Sequence, residues 1–484
     1  MTDSPVLPQL PHFVVVGKVN MGKTSVLATL LEIDDQRRLR ITATPGETTR
    51  VQVLPLAIQG REVVRFLDSP GFHQAIEAMR AIQERAGATR VPSLEHLRGF
   101  AEAAEKTGDF EDERLLLQPI LAGAGILYVV DASKPLRDDF EAEMEILRWS
   151  GRPRLAILNE QSEHPEHREA WKTRLGSHFN LVRTFNAHQA RFPQRLQLFE
   201  ALLSIEEDHR GHIEETIRHL QNEWLDRRAQ AAEFLYEHFR KTLPWRAEAA
   251  LTLPEFESPR RKEAATETLR ARYHQGIAQR QRACLEKLLS LYRHHLLQAE
   301  EAELALPDLE IADTWKRWGL NRQQLLSAGA VAGATAGGAL DLAVGGTSFL
   351  AGTALGGLLG AGAAWWRGEQ LPELKVDVQG IRLHTDRTRT LVVGPPGSPN
   401  FPWILLDHLL NAYRQILSRP HAKREATVLE NDKAGPSHTL SGPTRQNLQR
   451  FFAQALKSKL SPDQEVPTLT ALEDALTQVE EQLT

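Results

Sequence analysis

Residues 13–33 read FVVVGKVNMGKTSVLATLLEI. Four apolar residues run into Gly17, and a helical apolar pattern resumes after the pair Lys23-Thr24. A buried strand that stops at a glycine and restarts as a helix needs a reason. The spacing supplies one, because Gly17 to Thr24 fit the pattern G-x-x-x-x-G-K-[ST]. In that pattern the loop wraps a phosphate with backbone N–H groups, and a side chain at either glycine would crowd it. The helix TSVLATLLEI points its N-terminus at the same anion. Lys23 is expected to reach the β- and γ-phosphates and Thr24 to bind Mg²⁺ through its hydroxyl. Gly17, Asn20, Met21, Gly22 and Ser25 complete the expected loop. A glycine turn between any strand and helix is the plainer reading, but here strand, glycines, Lys-Thr and helix all occur in register.

Downstream, EVVRFLDSPGF is a strand that ends in Asp68, followed three residues on by Gly71. An aspartate at a strand's carboxyl end can hold Mg²⁺ through water, and a glycine amide can sense a γ-phosphate. Between the two motifs lies ITATPGETTR, a polar loop whose threonines could cap the metal. DSPG alone is a common turn; after a phosphate loop, in this order, it reads as a nucleotide switch.

Composition narrows the classes. The chain has 484 residues, enough for more than one domain, and a net charge of −5, so no global footprint for nucleic acid is visible. RNA as a partner is therefore not supported by the sequence. Cys284 is the single cysteine, which excludes a disulfide framework and a Cys-rich zinc site. MTDSPVLPQLPHF lacks a basic segment followed by an apolar run, so no secretory signal is expected and a cytoplasmic location is the default.

Four textures divide the chain. Residues 1–203 alternate short β-type runs (HFVVVG, RVQVLPLAI, EVVRFLD, GILYVVD, RLAILN, LVRTFNA) with helical patterns, as α/β domains do. A long helical insertion is expected at about 73–120, containing EAMRAIQERAG and SLEHLRGFAEAAEKTGDFEDERLLLQPIL. It is either a solvated elaboration or a mechanical link from the γ-phosphate sensor to the C-terminal half. Residues 204–322 carry apolar residues at helical spacing, predicting at least two long helices with a proline-rich break, TLPWRAEAALTLPEFESPR. Residues 323–370 are Gly/Ala-rich, and residues 371–484 read as two short strands, the helix PWILLDHLLNAYRQIL, a loose polar stretch and two short helices. His209, His212, His219 and the pair His294–His295 lie among charged residues without convincing ligand spacing, so they are assigned to solvated helical faces rather than to a metal.

GKVNMGKTS, PGETTR, DSPG and LYVVDASKP together resemble an Era/TrmE-type, translation-factor-class P-loop GTPase domain. The remainder resembles a helical region found attached to such domains in bacteria. The resemblance implies an α/β P-loop NTPase fold, a GTPase-type G domain with a mostly parallel sheet. A mainly α-helical module follows, with a Gly/Ala-rich helical hairpin and a small α+β C-terminal part. It further implies binding of GTP and GDP with Mg²⁺, and slow hydrolysis that switches the loops near Thr49 and Gly71. By the same resemblance Thr49 is a metal ligand beside Thr24 and Asp68, with Thr48 the fallback.

Two departures stand out. Where many GTPases carry a glutamine after Asp-x-x-Gly, this chain has Phe72. The resemblance offers Asn20 instead, matching an asparagine that helps related enzymes hold K⁺ against the phosphates; a purely structural role for Asn20 is the equal alternative. Catalysis is thus expected from Lys23, Asn20 and Thr49. The second departure is at the base. The family reads guanine with Asn-Lys-x-Asp, but RLAILN continues Asn159-Glu160-Gln161-Ser162, with Glu163 one residue late. Asn159 fits; the lysine and the aspartate do not. Ala187, in Phe185-Asn186-Ala187-His188, is expected to meet the guanine O6 through its amide. Base discrimination is accordingly expected to be poor.

From Gln323 to Trp366 the single charge is Asp341, and glycines recur every fourth residue at Gly329, Gly333 and Gly337 and at Gly352, Gly356 and Gly360. On a helix this spacing makes a smooth stripe, a glycine zipper, that lets another helix approach closely. Residues 323–366 are the candidate for membrane association, at the inner face of the membrane, against a soluble hairpin as the rival. The expected function is a GTP-driven conformational switch acting on the helical module, with homo-oligomerisation a further candidate. A nucleotide-binding pseudo-GTPase scaffold and an RNA- or tRNA-modification-linked GTPase are the alternatives.

Overall fold

The computed structural model describes residues 10–32, 51–58, 60–87, 91–160, 166–186, 190–292, 378–385, 388–395, 399–418 and 435–483. They gather in two compact units that divide between Leu225 and Asp226, with Leu417 and Ser418 grouped with the first. In the first, six strands form one sheet: β1 (His12–Val16), β2 (Gln52–Ile58), β3 (Arg61–Asp68), β4 (Gly125–Asp131), β5 (Arg154–Asn159) and β6 (Leu181–Phe185). Their order is β2-β3-β1-β4-β5-β6, parallel throughout except for the antiparallel β2–β3 pair at the edge. This is the mostly parallel α/β sheet expected of a P-loop domain, and all six strands fall on the apolar runs picked out in the sequence.

The uninterrupted apolar runs follow from a sheet covered on both faces. Side chains alternate across a strand. Phe13 and Val15 therefore pack with α1 (Lys23–Leu31), α7 (Phe192–Ile205) and the start of α8 (Arg210–Thr242). Val14 and Val16 point the other way, into the core beneath α2 (Ala75–Ala86), α3 (Leu94–Thr107), α4 (Glu111–Leu121), α5 (Asp138–Trp149) and α6 (Arg168–His178). All four side chains are fully buried, each worth about 1.5–3 kcal/mol relative to exposure.

The segment after Gly71 forms α2, α3 and α4, each with a buried inner face and an exposed outer one. Leu97, Phe100, Ala101 and Ala104 recur at helical spacing and are buried, as are Leu116, Leu117 and Ile120 on α4. Their burial joins the insertion to the same core as the central strands.

α8, which passes from the first unit into the second at Asp226, and α10 (Pro259–Leu291) are 33-residue helices, matching the two long helices expected. The break between them contains a strand that the sequence reading missed: β7 (Ala247–Thr252), followed by the short α9 (Leu253–Glu257). β7 pairs antiparallel with β9 (Thr388–Val393), which pairs antiparallel with β8 (Val378–Thr385). Three further helices are α11 (Phe401–Ser418), α12 (Gly442–Leu456) and α13 (Glu465–Glu481). The last two, at 15 and 17 residues, are longer than the short helices expected.

Aromatic packing holds these helices together. Tyr236 and Phe239 of α8 meet Phe451 and Phe452 of α12 at centroid distances of 5.4 and 5.1 Å, and Trp403 stands edge-on to Phe452. Polar contacts fix the partners: Tyr413 donates to Glu480 at 2.5 Å, and the same carboxylate pairs with Arg228 at 3.1 Å. No helix among the described residues is long and apolar enough to cross a membrane. Residues 323–366 lie outside the described residues.

Candidate nucleotide-binding site

β1 ends against the backbone of its neighbour β4, which dictates the next residue. Gly17 has φ +150°, and a Cβ there would lie 2.3 Å from the Val129 carbonyl oxygen. The chain then turns through Asn20 (φ 62°) and Gly22 (φ 91°), both left-handed, into α1. No acidic residue occupies the first turn of α1, so the positive end of its dipole is uncompensated by side chains. Lys23, the first residue of α1, folds back over the loop and donates to the carbonyl oxygens of Gly17 at 2.6 Å and Lys18 at 3.1 Å. Thr24 and Ser25 follow it on the first turn, half-buried.

β3 brings the second motif alongside, with Asp68 opposite Val15 in register. The Ser69 hydroxyl donates to the Val15 carbonyl oxygen at 2.9 Å and pins the turn. Gly71 is then pressed against the first loop, where a Cβ would lie 2.8 Å from the Gly17 carbonyl oxygen. Asp68 is buried, and its Oδ1 has no hydrogen-bond partner. Burial pushes its carboxyl up to about 6, with the charge of Lys23 pulling the other way. Burial also lowers the Lys23 ammonium, against the pull of Asp68 and Glu143. An orphaned, buried carboxylate oxygen is a hard oxygen donor of the kind Mg²⁺ takes, and the hydroxyl of Thr24 on the first turn of α1 is another. The residues present therefore fit that metal.

Phe72 does not occupy the place of a water-orienting side chain; it is buried in the core that also contains Met21. The next two residues are held from outside the motif. Glu113 of α4, itself 1 % exposed, accepts from the backbone N–H groups of His73 at 2.8 Å and Gln74 at 2.6 Å through one oxygen. Glu113 was not singled out in the sequence, and nothing local to FEDERL signals this role.

Lysine and asparagine contacts tie the loop to neighbouring strand ends and to α5. Asn159, ending β5, donates from its side chain to the Met21 carbonyl oxygen at 3.2 Å. Lys134, from DASKP after β4, donates to the Asn20 carbonyl oxygen at 3.0 Å. Lys18 pairs with Asp139 and, at 3.5 Å, with the buried Glu143, whose carboxyl is pushed up to about 7 by burial. Of these, Asn159 was expected at the site and Lys134, Lys18 and Glu143 were not. Lys134 had a signal, since DASKP follows a buried strand toward the same sheet end. Thr48, Thr49, Ser162, Glu163 and Ala187 lie outside the described residues.

Residues 12–160 match the model of a family described as 50S ribosome-binding GTPase. Residues 172–478, more than half of the chain, match the family described as Domain of unknown function (DUF3482). The chain belongs to the DUF3482 family. Its N-terminal part is a GTP-binding P-loop domain of Era type, and membership of that class implies the use of GTP and Mg²⁺. GTPase Era of Pseudomonas savastanoi pv. phaseolicola is 22% identical over 170 residues, covering 34% of the DUF3482 chain and 54% of the relative. GTPase Era of Vibrio cholerae serotype O1 is 26% identical over 141 residues, covering 28% and 41%. The DUF3482 chain thus spans about half the length of the curated relatives it matches. Among solved structures, Era in complex with MgGDPNP and nucleotides 1506–1542 of 16S ribosomal RNA aligns over 51% of this chain and 73% of its own, at 15% identity and a TM-score of 0.28. A Sulfolobus solfataricus GTP-binding protein in complex with GDP aligns over 43% and 53%, at 17% identity and a TM-score of 0.23.

Proposed function

We propose that this DUF3482 chain is a slow, Mg²⁺-dependent GTPase whose bound nucleotide sets the conformation of the loops around Thr49 and Gly71, and through them the disposition of the helical module. The observation that carries the reading is the juxtaposition of Lys23 and the unpartnered carboxylate oxygen of Asp68 where Gly17 and Gly71 meet. Lys23 leaves the Gly17 and Lys18 carbonyl oxygens for the β- and γ-phosphates, and the N–H groups of the loop and of α1 take the phosphate oxygens. Thr24, Thr49 and Asp68 hold Mg²⁺, which when bound neutralises charge on the phosphates. Asn20 contributes to a K⁺ site, which supplies the charge that an arginine finger brings elsewhere. Asn159 braces the loop on the base side, and the Ala187 amide meets the base.

Phosphate release from GTP by the full chain, with and without Mg²⁺, tests this directly. Lys23→Ala is expected to abolish nucleotide binding with the fold intact, and unchanged GTP affinity in that variant would sink the assignment. The burial of Phe72 favours one second reading, a scaffold that binds nucleotide without turning it over. Tight GTP binding with no phosphate release separates it. The ribosome of the family description and the ribosomal RNA of the Era complex belong to those proteins; RNA that co-purifies with this chain would extend them to it. Membrane association through residues 323–366 rests on sequence alone, and flotation of the protein with liposomes is its test.

A further inference from the structure

An incomplete ion pair lies at the carboxyl ends of β5 and β6. Asn159, whose side chain reaches the phosphate loop, is followed by Glu160, whose N–H donates to the Phe185 carbonyl oxygen of β6 at 2.8 Å. Glu160 is 9 % exposed, and its Oε2 accepts from an Nη of Arg168, the first residue of α6. Guanidinium and carboxylate often close on each other with two parallel hydrogen bonds. Here one is made. Glu160 Oε1 and Arg168 Nε are both buried and both lack a hydrogen-bond partner. The pair therefore offers one free acceptor and one free donor, both charged, and groups of that kind are costly to leave unmet away from water.

We infer that Glu160 and Arg168 read the edge of the nucleotide base, Glu160 Oε1 accepting from guanine N1–H and Arg168 Nε–H donating to O6. The inference rests on the GTP-binding reading above, since the phosphates must first be held in the loop that Asn159 braces. Guanine presents a donor beside an acceptor, complementary to this pair. Adenine presents an acceptor at N1 and a donor at N6, so in the same pose it sets donor against donor and acceptor against acceptor. A site built to hydrogen-bond one edge discriminates strongly, because the wrong edge leaves buried polar groups unpaired. The carboxylate that the family carries at the position of Ser162 is then supplied two residues earlier, and the poor base discrimination expected from the sequence is reversed.

The test is equilibrium binding of GTP, ATP and inorganic tripolyphosphate, each with Mg²⁺, to the full chain. Wild type should favour GTP over ATP by about tenfold or more. Glu160→Gln and Arg168→Lys, which keep size and helix-forming character, should each cut that ratio by about tenfold, with tripolyphosphate affinity and the circular dichroism spectrum unchanged. Ser162→Asp should add nothing. A GTP-to-ATP ratio that neither variant moves overturns the inference and leaves the GTPase reading standing. A gain of about tenfold from Ser162→Asp also overturns it, because the acceptor would have been missing. Wild-type protein that binds no nucleoside triphosphate overturns both readings together.

Discussion

Glu113→Ala should release the chain just past the Asp-x-x-Gly motif. The Gln74 side chain makes no capping bond at the start of α2, and the Glu113 carboxylate takes over that work from the neighbouring α4. Each of its two bonds joins an ionised acceptor to a backbone N–H, a class worth about 1.5–3 kcal/mol net. Taking the lower figure twice, with water entering to satisfy part of what is lost, local opening of residues 73–75 becomes easier by about 3 kcal/mol. At 1.4 kcal/mol per factor of ten, that is roughly a hundredfold in the opening equilibrium. Amide hydrogen exchange followed by mass spectrometry on peptides across residues 68–80 reads this directly. Glu113→Gln keeps an acceptor of the same shape without charge and should lose about half as much, neutral bonds being about half as strong. Exchange at His73 and Gln74 that stays at the wild-type rate in Glu113→Ala would refute the reasoning. So would equal losses in the two variants, which would point to packing rather than to charge.

Asp68, held up to about 6 by burial, must give up its proton before it can hold a metal. Below pH 6 the Mg²⁺-dependent part of GTP affinity should therefore fall by about tenfold per pH unit, and Asp68→Asn should abolish that slope. The same shift has the opposite sign for the apo fold: the native state binds the proton more tightly than the unfolded one, so Asp68 adds stability as pH falls from 6 toward 3.8. Hydrolysis should run faster in K⁺ than in Na⁺ at equal ionic strength, and Asn20→Ala should erase the difference; equal rates would make Asn20 structural. In the second unit, burial pushes His238 down to about 3 and His408 down to about 4. Both bind protons more readily unfolded, so stability should be lost progressively from pH 6.5 downward. Asp407, raised to about 6 in the same helix as His408, offsets part of this. A denaturation midpoint whose pH dependence from pH 7 to pH 4 is the same in the wild type and in a His238→Gln, His408→Gln double variant would contradict the buried, neutral state of the two histidines.

How much of this was legible depended on whether the signal was local. The central strands β1, β4 and β5 declared themselves because both faces are covered, so each run is apolar nearly throughout and stops at a glycine, aspartate or asparagine, whereas β2, β3 and β6 carry exposed residues and showed as short β-type runs. The two long helices of the second unit showed through their spacing. β7 did not: the first five residues of AEAALT are alanine, glutamate and leucine, which favour helix, and pairing with β9 overrides that preference. At the site, the residues that build the glycine loop and the turn beside it follow a fixed spacing, and the structure brings Gly17, Lys23, Asp68 and Gly71 together. Glu113 and Arg168 could not be named from spacing, because each matters through a partner that the fold brings to it, 40 residues away for His73 and 8 for Glu160. Phe72 was visible as a departure, but its burial is a property of the core around it and not of the motif.

The close approach of Gly71 to Gly17 has a mechanical consequence. Nothing thicker than a hydrogen atom separates the two turns, and the oxygen at their junction is the one that Lys23 grips. Two loops joined by a side-chain bond can be uncoupled by deleting that side chain. Two loops joined backbone to backbone cannot, since no residue can be trimmed below glycine. Every substitution at 71 thickens the joint, so mutagenesis there can only jam the linkage and never slacken it. For the proposed switch, a variant that binds nucleotide yet ignores which one it holds must be sought farther along the train, beyond the point where the turns bear on each other.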